Sequence, residues 1–128
     1  MTQKIGLYNF NSSIYKFITT PIKNKIIYYK TDYNYFYWID EENLFYYSSI
    51  FGKIETVGKI PPFDLIEVFD TTNYLYSFNG ILYYYNVKQN KTYEILISEK
   101  SFNNFYYKNG ILAIFTPNKV INYLIQLP

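Results

Sequence analysis

The chain contains no cysteine, no histidine and no arginine, and each absence closes off a chemistry. Without cysteine there is no disulfide, no thiolate nucleophile and no soft metal ligand, and the redox compartment leaves no trace in the sequence. Without histidine the chain lacks the commonest general base, the usual zinc or copper ligand and the side chain that titrates near neutral pH. All twelve basic residues are lysine, so the planar fork that grips phosphate and guanine is missing. No phosphate loop, nucleophile elbow or dinucleotide fingerprint occurs. No enzyme, cofactor or metal site is expected. With a net charge of only +2, nucleic acid is disfavoured as a partner.

Long hydrophobic runs are missing too. Lys, Asn, Asp or Glu interrupts every apolar stretch well before the roughly 20 residues that cross a bilayer, and the first residues hold no apolar segment followed by a small-residue cleavage site. A soluble, intracellular protein is expected. Its 128 residues suit one domain able to bury a core without cross-links. What is abundant is tyrosine, with 18 residues, and phenylalanine, with 11, beside Ile, Asn and Lys. These are amino acids of A/T-rich codons, so the composition points to an A/T-rich genome such as those of many viruses, protists and low-GC bacteria, with a virus or mobile element among the expected sources. For a viral chain the host cytoplasm is the expected location.

The stretch NYLYSFNGILYYYNVKQNKTYEILI, residues 73–97, shows what the aromatics build. Tyr74, Tyr76 and Phe78 alternate with Leu75 and Ser77; after Asn79-Gly80, Ile81, Tyr83, Tyr85 and Val87 alternate with Leu82, Tyr84 and Asn86. Asn-Gly between two alternating runs signals a hairpin, because a type I′ turn needs positive φ at both central residues. The two-residue loop predicts Phe78 opposite Ile81, with the alternating sets on opposite faces of one ribbon. After the polar break at 88–91, Thr92 to Ile97 forms a third strand. The same unit recurs. Residues 105–115 align with 75–85 without a gap around Asn109-Gly110, 36–47 align with a longer turn, and 7–17 align more loosely. Each copy is followed by a further β-rich run: Lys25 to Tyr29, Ile54 to Ile60, Thr92 to Ile97 and Val120 to Leu127. Leu65 to Phe69 would be a fourth strand of the third copy. No dozen residues sustain helical periodicity, and Pro61-Pro62 marks a connection between the second and third copies. The expectation is one all-β domain, 1–128, of about four antiparallel meanders at approximately 5–30, 31–60, 64–98 and 102–128.

Tyr74 to Gly80, Ile81 to Asn86, a polar turn and Thr92 to Ile95 resemble a blade of the kelch and quinoprotein-like β-propellers. The resemblance implies a small propeller-like fold. The kelch double glycine, the tryptophan-aspartate dipeptide and the AxDxxTG motif do not occur, so no family's binding residues carry over. The same hairpins also suit a β-sandwich or an open barrel.

Tyrosine fits positions that are half core and half surface, its ring packed and its hydroxyl at a rim. That accounts for most of the tyrosines and leaves a few as stacking platforms for sugars or unpaired bases, with lysines nearby. Asp40-Glu41-Glu42, the sole carboxylate cluster, reads as a solvated turn. Residues 1–31 carry five lysines and no carboxylate, 32–72 eight carboxylates and two lysines, and 73–128 five lysines and two carboxylates. This basic, acidic, basic order suits electrostatic steering of a partner or head-to-tail self-association. The expected function is a non-catalytic module that engages another protein through loops and exposed aromatics, with Trp38, Tyr37, Tyr76 and Tyr106 as anchors. The alternatives are a lectin with an aromatic carbohydrate site in each repeat, and a structural or virion component, a homo-oligomer assembled through β edges.

Overall fold

The computed structural model describes residues 3–17, 22–32, 35–49, 53–99 and 101–128. Among these residues there are thirteen strands, every pairing antiparallel, and no helix long and apolar enough to cross a membrane. The chain divides into two compact units that meet at Pro61 and Pro62, where proline was expected to mark a connection.

In the first unit, β1 (Gly6–Asn9) and β2 (Ile14–Phe17) pair as a hairpin. The strands β3 (Ile26–Asp32), β4 (Tyr35–Asp40), β5 (Leu44–Ser49) and β6 (Glu55–Lys59) form a four-stranded meander in that order. Residues 25–29, expected to close the first repeat, instead open the second sheet. Only residues 33 and 34 separate β3 from β4, whereas eight residues separate β2 from β3, and the shorter connection favours the antiparallel neighbour. On β4 the alternation of exposed and buried residues gives way to continuous burial of Tyr37, Trp38, Ile39 and Asp40, as in a strand covered on both faces. Aromatic rings line one face: Tyr29 lies 6.2 Å from Phe36, Phe36 lies 6.0 Å from Trp38, and Trp38 stacks on Tyr46 at 5.5 Å. Aromatic contacts of this kind, within β4 and across to β3 and β5, each contribute about 0.5–1.5 kcal/mol beyond area burial.

The second unit contains two sheets. The first comprises β7 (Leu65–Val68), β8 (Asn73–Phe78), β9 (Ile81–Asn86) and β10 (Lys91–Ile95); the second comprises β11 (Asn104–Lys108), β12 (Ile111–Phe115) and β13 (Val120–Leu124). Phe78 stands opposite Ile81, as the Asn-Gly turn predicts. Asn79 and Gly80 have φ of +52° and +78°, and Asn109 and Gly110 repeat this with +52° and +80°. Leu65 to Val68 joins the third meander as its fourth strand. Leu75, Leu82 and Tyr84 from one sheet pack with Phe105, Leu112 and Ile114 from the other as the unit's core. The opposite face of β8 carries a tyrosine ladder, with Tyr74 5.1 Å from Tyr85 and Tyr76 5.1 Å from Tyr83.

Candidate functional site

Three of the four expected anchors lie in the interior. Trp38 is 1% exposed, and Tyr37 and Tyr76 are also buried. The reason is topological: β4 and β8 are inner strands of four-stranded sheets, and both faces of each are covered. Tyr106 is 50% exposed, on the edge strand β11. Trp38 and Tyr37 belong to the first unit and Tyr76 and Tyr106 to the second.

The aromatic surface lies elsewhere. Every residue of β1 and β2 is exposed, including Leu7, Tyr8, Ile14, Tyr15 and Phe17, and Phe10 in the connecting turn is 87% exposed. Edge-to-face pairs order these rings on their own hairpin, with Tyr8 5.0 Å from Phe10 and Tyr15 5.2 Å from Phe17. The Lys4 ammonium lies 4.7 Å above the Phe17 ring. Asn9 shapes the turn, its Oδ1 accepting from the N–H groups of Asn11 and Ser12, which is the Asx geometry that favours asparagine there. The alternation in residues 7–17 made the hairpin legible. Its exposure had no sequence signal, because the same pattern serves a half-buried ribbon.

A second feature is a cavity of about 210 Å³ in the first unit, lined by Ile22, Lys23, Asn24, Trp38, Asp40, Tyr46 and Ile54. Asp40 was expected in solvent, and Glu41 and Glu42 are indeed exposed, but Asp40 is 1% exposed. Its burial is sustained by donors. Oδ1 accepts from the N–H groups of Glu42 at 2.9 Å and Leu44 at 3.1 Å, and Oδ2 accepts from the Asn24 amide at 3.3 Å. A charge taken from water needs such a shell. Burial raises the pKa of the Tyr46 hydroxyl above its ordinary value, the nearby Asp40 carboxylate raises it further, and Glu42 adds a smaller push. Tyr46 therefore remains a donor at neutral pH. Trp38 stacks on Tyr46 with ring planes 20° apart, and its buried indole Nε1–H has no hydrogen-bond partner, the one such side-chain atom among the described residues.

The remaining carboxylates near turns act on backbone. Asp64 Oδ2 accepts from Asn79 N–H at 2.9 Å, and Asp70 Oδ1 accepts from both the N–H and the hydroxyl of Thr72 at 2.6 Å. Among the described residues no three acidic side chains gather into a metal-binding group. No protein-family model matches the chain, and no curated protein or solved structure matches it either.

Proposed function

We propose that the chain is a non-catalytic binding module, built of successive propeller-like blades, that engages another protein through exposed aromatic side chains. The observation that carries this reading is the β1–β2 hairpin, with Leu7, Tyr8, Phe10, Ile14, Tyr15 and Phe17 all in solvent. Tyr8, Tyr15 and Phe17 share one face of the ribbon and Leu7 and Ile14 the other, and exposed apolar side chains gathered on one element mark an interaction site more than single exposed residues do. Tyrosine and phenylalanine suit that role because they offer large contact area for two rotatable side-chain bonds. The Lys4 ammonium stands over the Phe17 ring, so the complementary surface is apolar with acidic residues at its border. The meander order of β3–β6 and β7–β10 supports the blade reading, since a propeller blade is a four-stranded antiparallel sheet.

The test compares the wild-type chain with a triple variant, Phe10→Ser, Tyr15→Ser and Phe17→Ser, in cross-linking and quantitative affinity capture. The expected outcome is one protein partner retained by the wild type and weakened at least about tenfold by the variant, at unchanged circular dichroism and melting temperature. Equal capture by both chains would sink the reading. Self-association that the triple variant abolishes would turn it toward assembly of identical copies.

A further inference from the structure

The cavity beside Trp38 brings together a buried donor with no acceptor, a buried carboxylate and a stacked aromatic wall, and the first of these has no role in the packing already described. We infer that the cavity lined by Asn24, Trp38, Asp40 and Tyr46 is a binding site for one neutral, hydroxyl-rich unit, a single sugar residue. It stands independently of the hairpin surface.

The choice of ligand follows from the donors and acceptors. Leaving an indole N–H buried and unpaired carries the desolvation cost of the group, so a group that accepts from Trp38 recovers it. An anion would accept, but Asp40 repels it and Glu42 stands in the adjacent turn. A cation would suit Asp40, but it offers Trp38 nothing and meets the Lys23 ammonium. A hydroxyl does both tasks, accepting from the indole while donating to a carboxylate oxygen. Trp38 and Asp40 are two positions apart on β4, so they share a face about 7 Å apart along the strand. Neighbouring hydroxyls on one ring can span such a gap. The Glu42 and Leu44 N–H groups and the Asn24 amide hold the carboxylate in place, and Tyr46, opposite Trp38 on β5, stacks with that indole as the ring wall that receives the apolar C–H face of a sugar. The volume of about 210 Å³ is below the roughly 300–1,000 Å³ of pockets for drug-sized molecules and suits one residue, not an oligosaccharide. The site is not repeated. Asp40 and Trp38 align with no acid and no tryptophan in the copies at 75–85 and 105–115, so a lectin with one site per repeat is replaced by a single site.

Trp38 is the sole tryptophan, so its emission and its one indole N–H resonance report from this cavity alone. Titration of the full chain with glucose, galactose, mannose and N-acetylglucosamine, followed by both signals, is expected to give a saturable downfield shift of the indole resonance with at least one sugar. Trp38→Phe keeps the ring and removes the donor. Saturation-transfer measurement on the sugar is expected to show binding weakened at least about tenfold, with the melting temperature held within a few degrees. Asp40→Asn keeps Oδ1 as the turn acceptor and is expected to weaken binding similarly; if that variant does not fold, Trp38→Phe decides. Sugars that leave the indole resonance unmoved mean a cavity filled by water only and overturn the inference. A shift that rises linearly without saturating, and that glycerol reproduces, also overturns it. So does saturation by methyl phosphate or tetramethylammonium in place of the sugars.

Discussion

Tyr74 lies on β8 with Tyr76 5.8 Å and Tyr85 5.1 Å from its ring centre, and burial holds its hydroxyl well above the ordinary tyrosine value, with Tyr85 and Tyr76 adding to the shift. Burial also raises Tyr46, Tyr76 and Tyr84, although Thr92 at Tyr76 and Asn86 at Tyr84 pull the other way. A tyrosine raised in the folded state stays protonated there after its unfolded counterpart, near pH 10, has ionised. The folded state then binds more protons than the unfolded one, so stability falls as pH rises. The stabilisation is present in full below about pH 10 and is lost progressively above it. Thermal melts between neutral pH and alkaline pH are expected to show a steep fall above about pH 10, and Tyr74→Phe is expected to flatten it. An alkaline slope unaltered by Tyr74→Phe would assign the fall to the other tyrosines. Asp40 gives a second residue-scale prediction. Asp40→Ala strands the N–H groups of Glu42 and Leu44 and is expected to lower stability by about 1–3 kcal/mol in denaturant unfolding, while Asp40→Asn retains most of it.

At the scale of elements, the Asn-Gly turns fix the register of two hairpins. Gly80 and Gly110 hold φ of +78° and +80°, where a β-branched residue is strained by about 1–3 kcal/mol. Gly80→Val and Gly110→Val are each expected to lower unfolding free energy by that amount in urea titration, with Lys88→Ala, on the exposed turn, within about 0.5 kcal/mol of wild type. Wild-type stability in both valine variants would remove the hairpin register. These elements were legible because turn chemistry and alternation agree over adjacent residues: Phe78 opposite Ile81, Leu65 to Val68 as an added strand, Pro61-Pro62 at a boundary. The allocation of β3 was not legible, because Lys25 to Tyr29 can close the hairpin before it or open the sheet after it, and only connection length decides. The burial of Trp38, Tyr37 and Tyr76 follows from strand order, which a period of two does not encode. Asp40 was misread for a different reason. An acid in a turn is normally solvated, and its shell of three donors draws one from Asn24, sixteen residues away in sequence.

For the molecule as a whole, packed and exposed apolar side chains do separate jobs. Leu112 is fully buried in the cluster that joins the two sheets of the second unit, whereas Tyr15 and Phe17 are more than half exposed on a hairpin covered on neither face. Truncating Leu112 removes packed methylenes and leaves a cavity between sheets that relax only in part, at about 2–5 kcal/mol. Replacing Tyr15 and Phe17 with serine removes apolar surface that water already reaches, so the transfer term is small. Leu112→Ala is therefore expected to lower the denaturation midpoint strongly, and the Tyr15→Ser, Phe17→Ser pair to shift it by less than about 1 kcal/mol while raising solubility. The contrast separates the two roles tyrosine plays here. If the serine pair destabilised the chain as much as Leu112→Ala, the hairpin rings would be part of a folding core, and their availability to a partner would be lost with it.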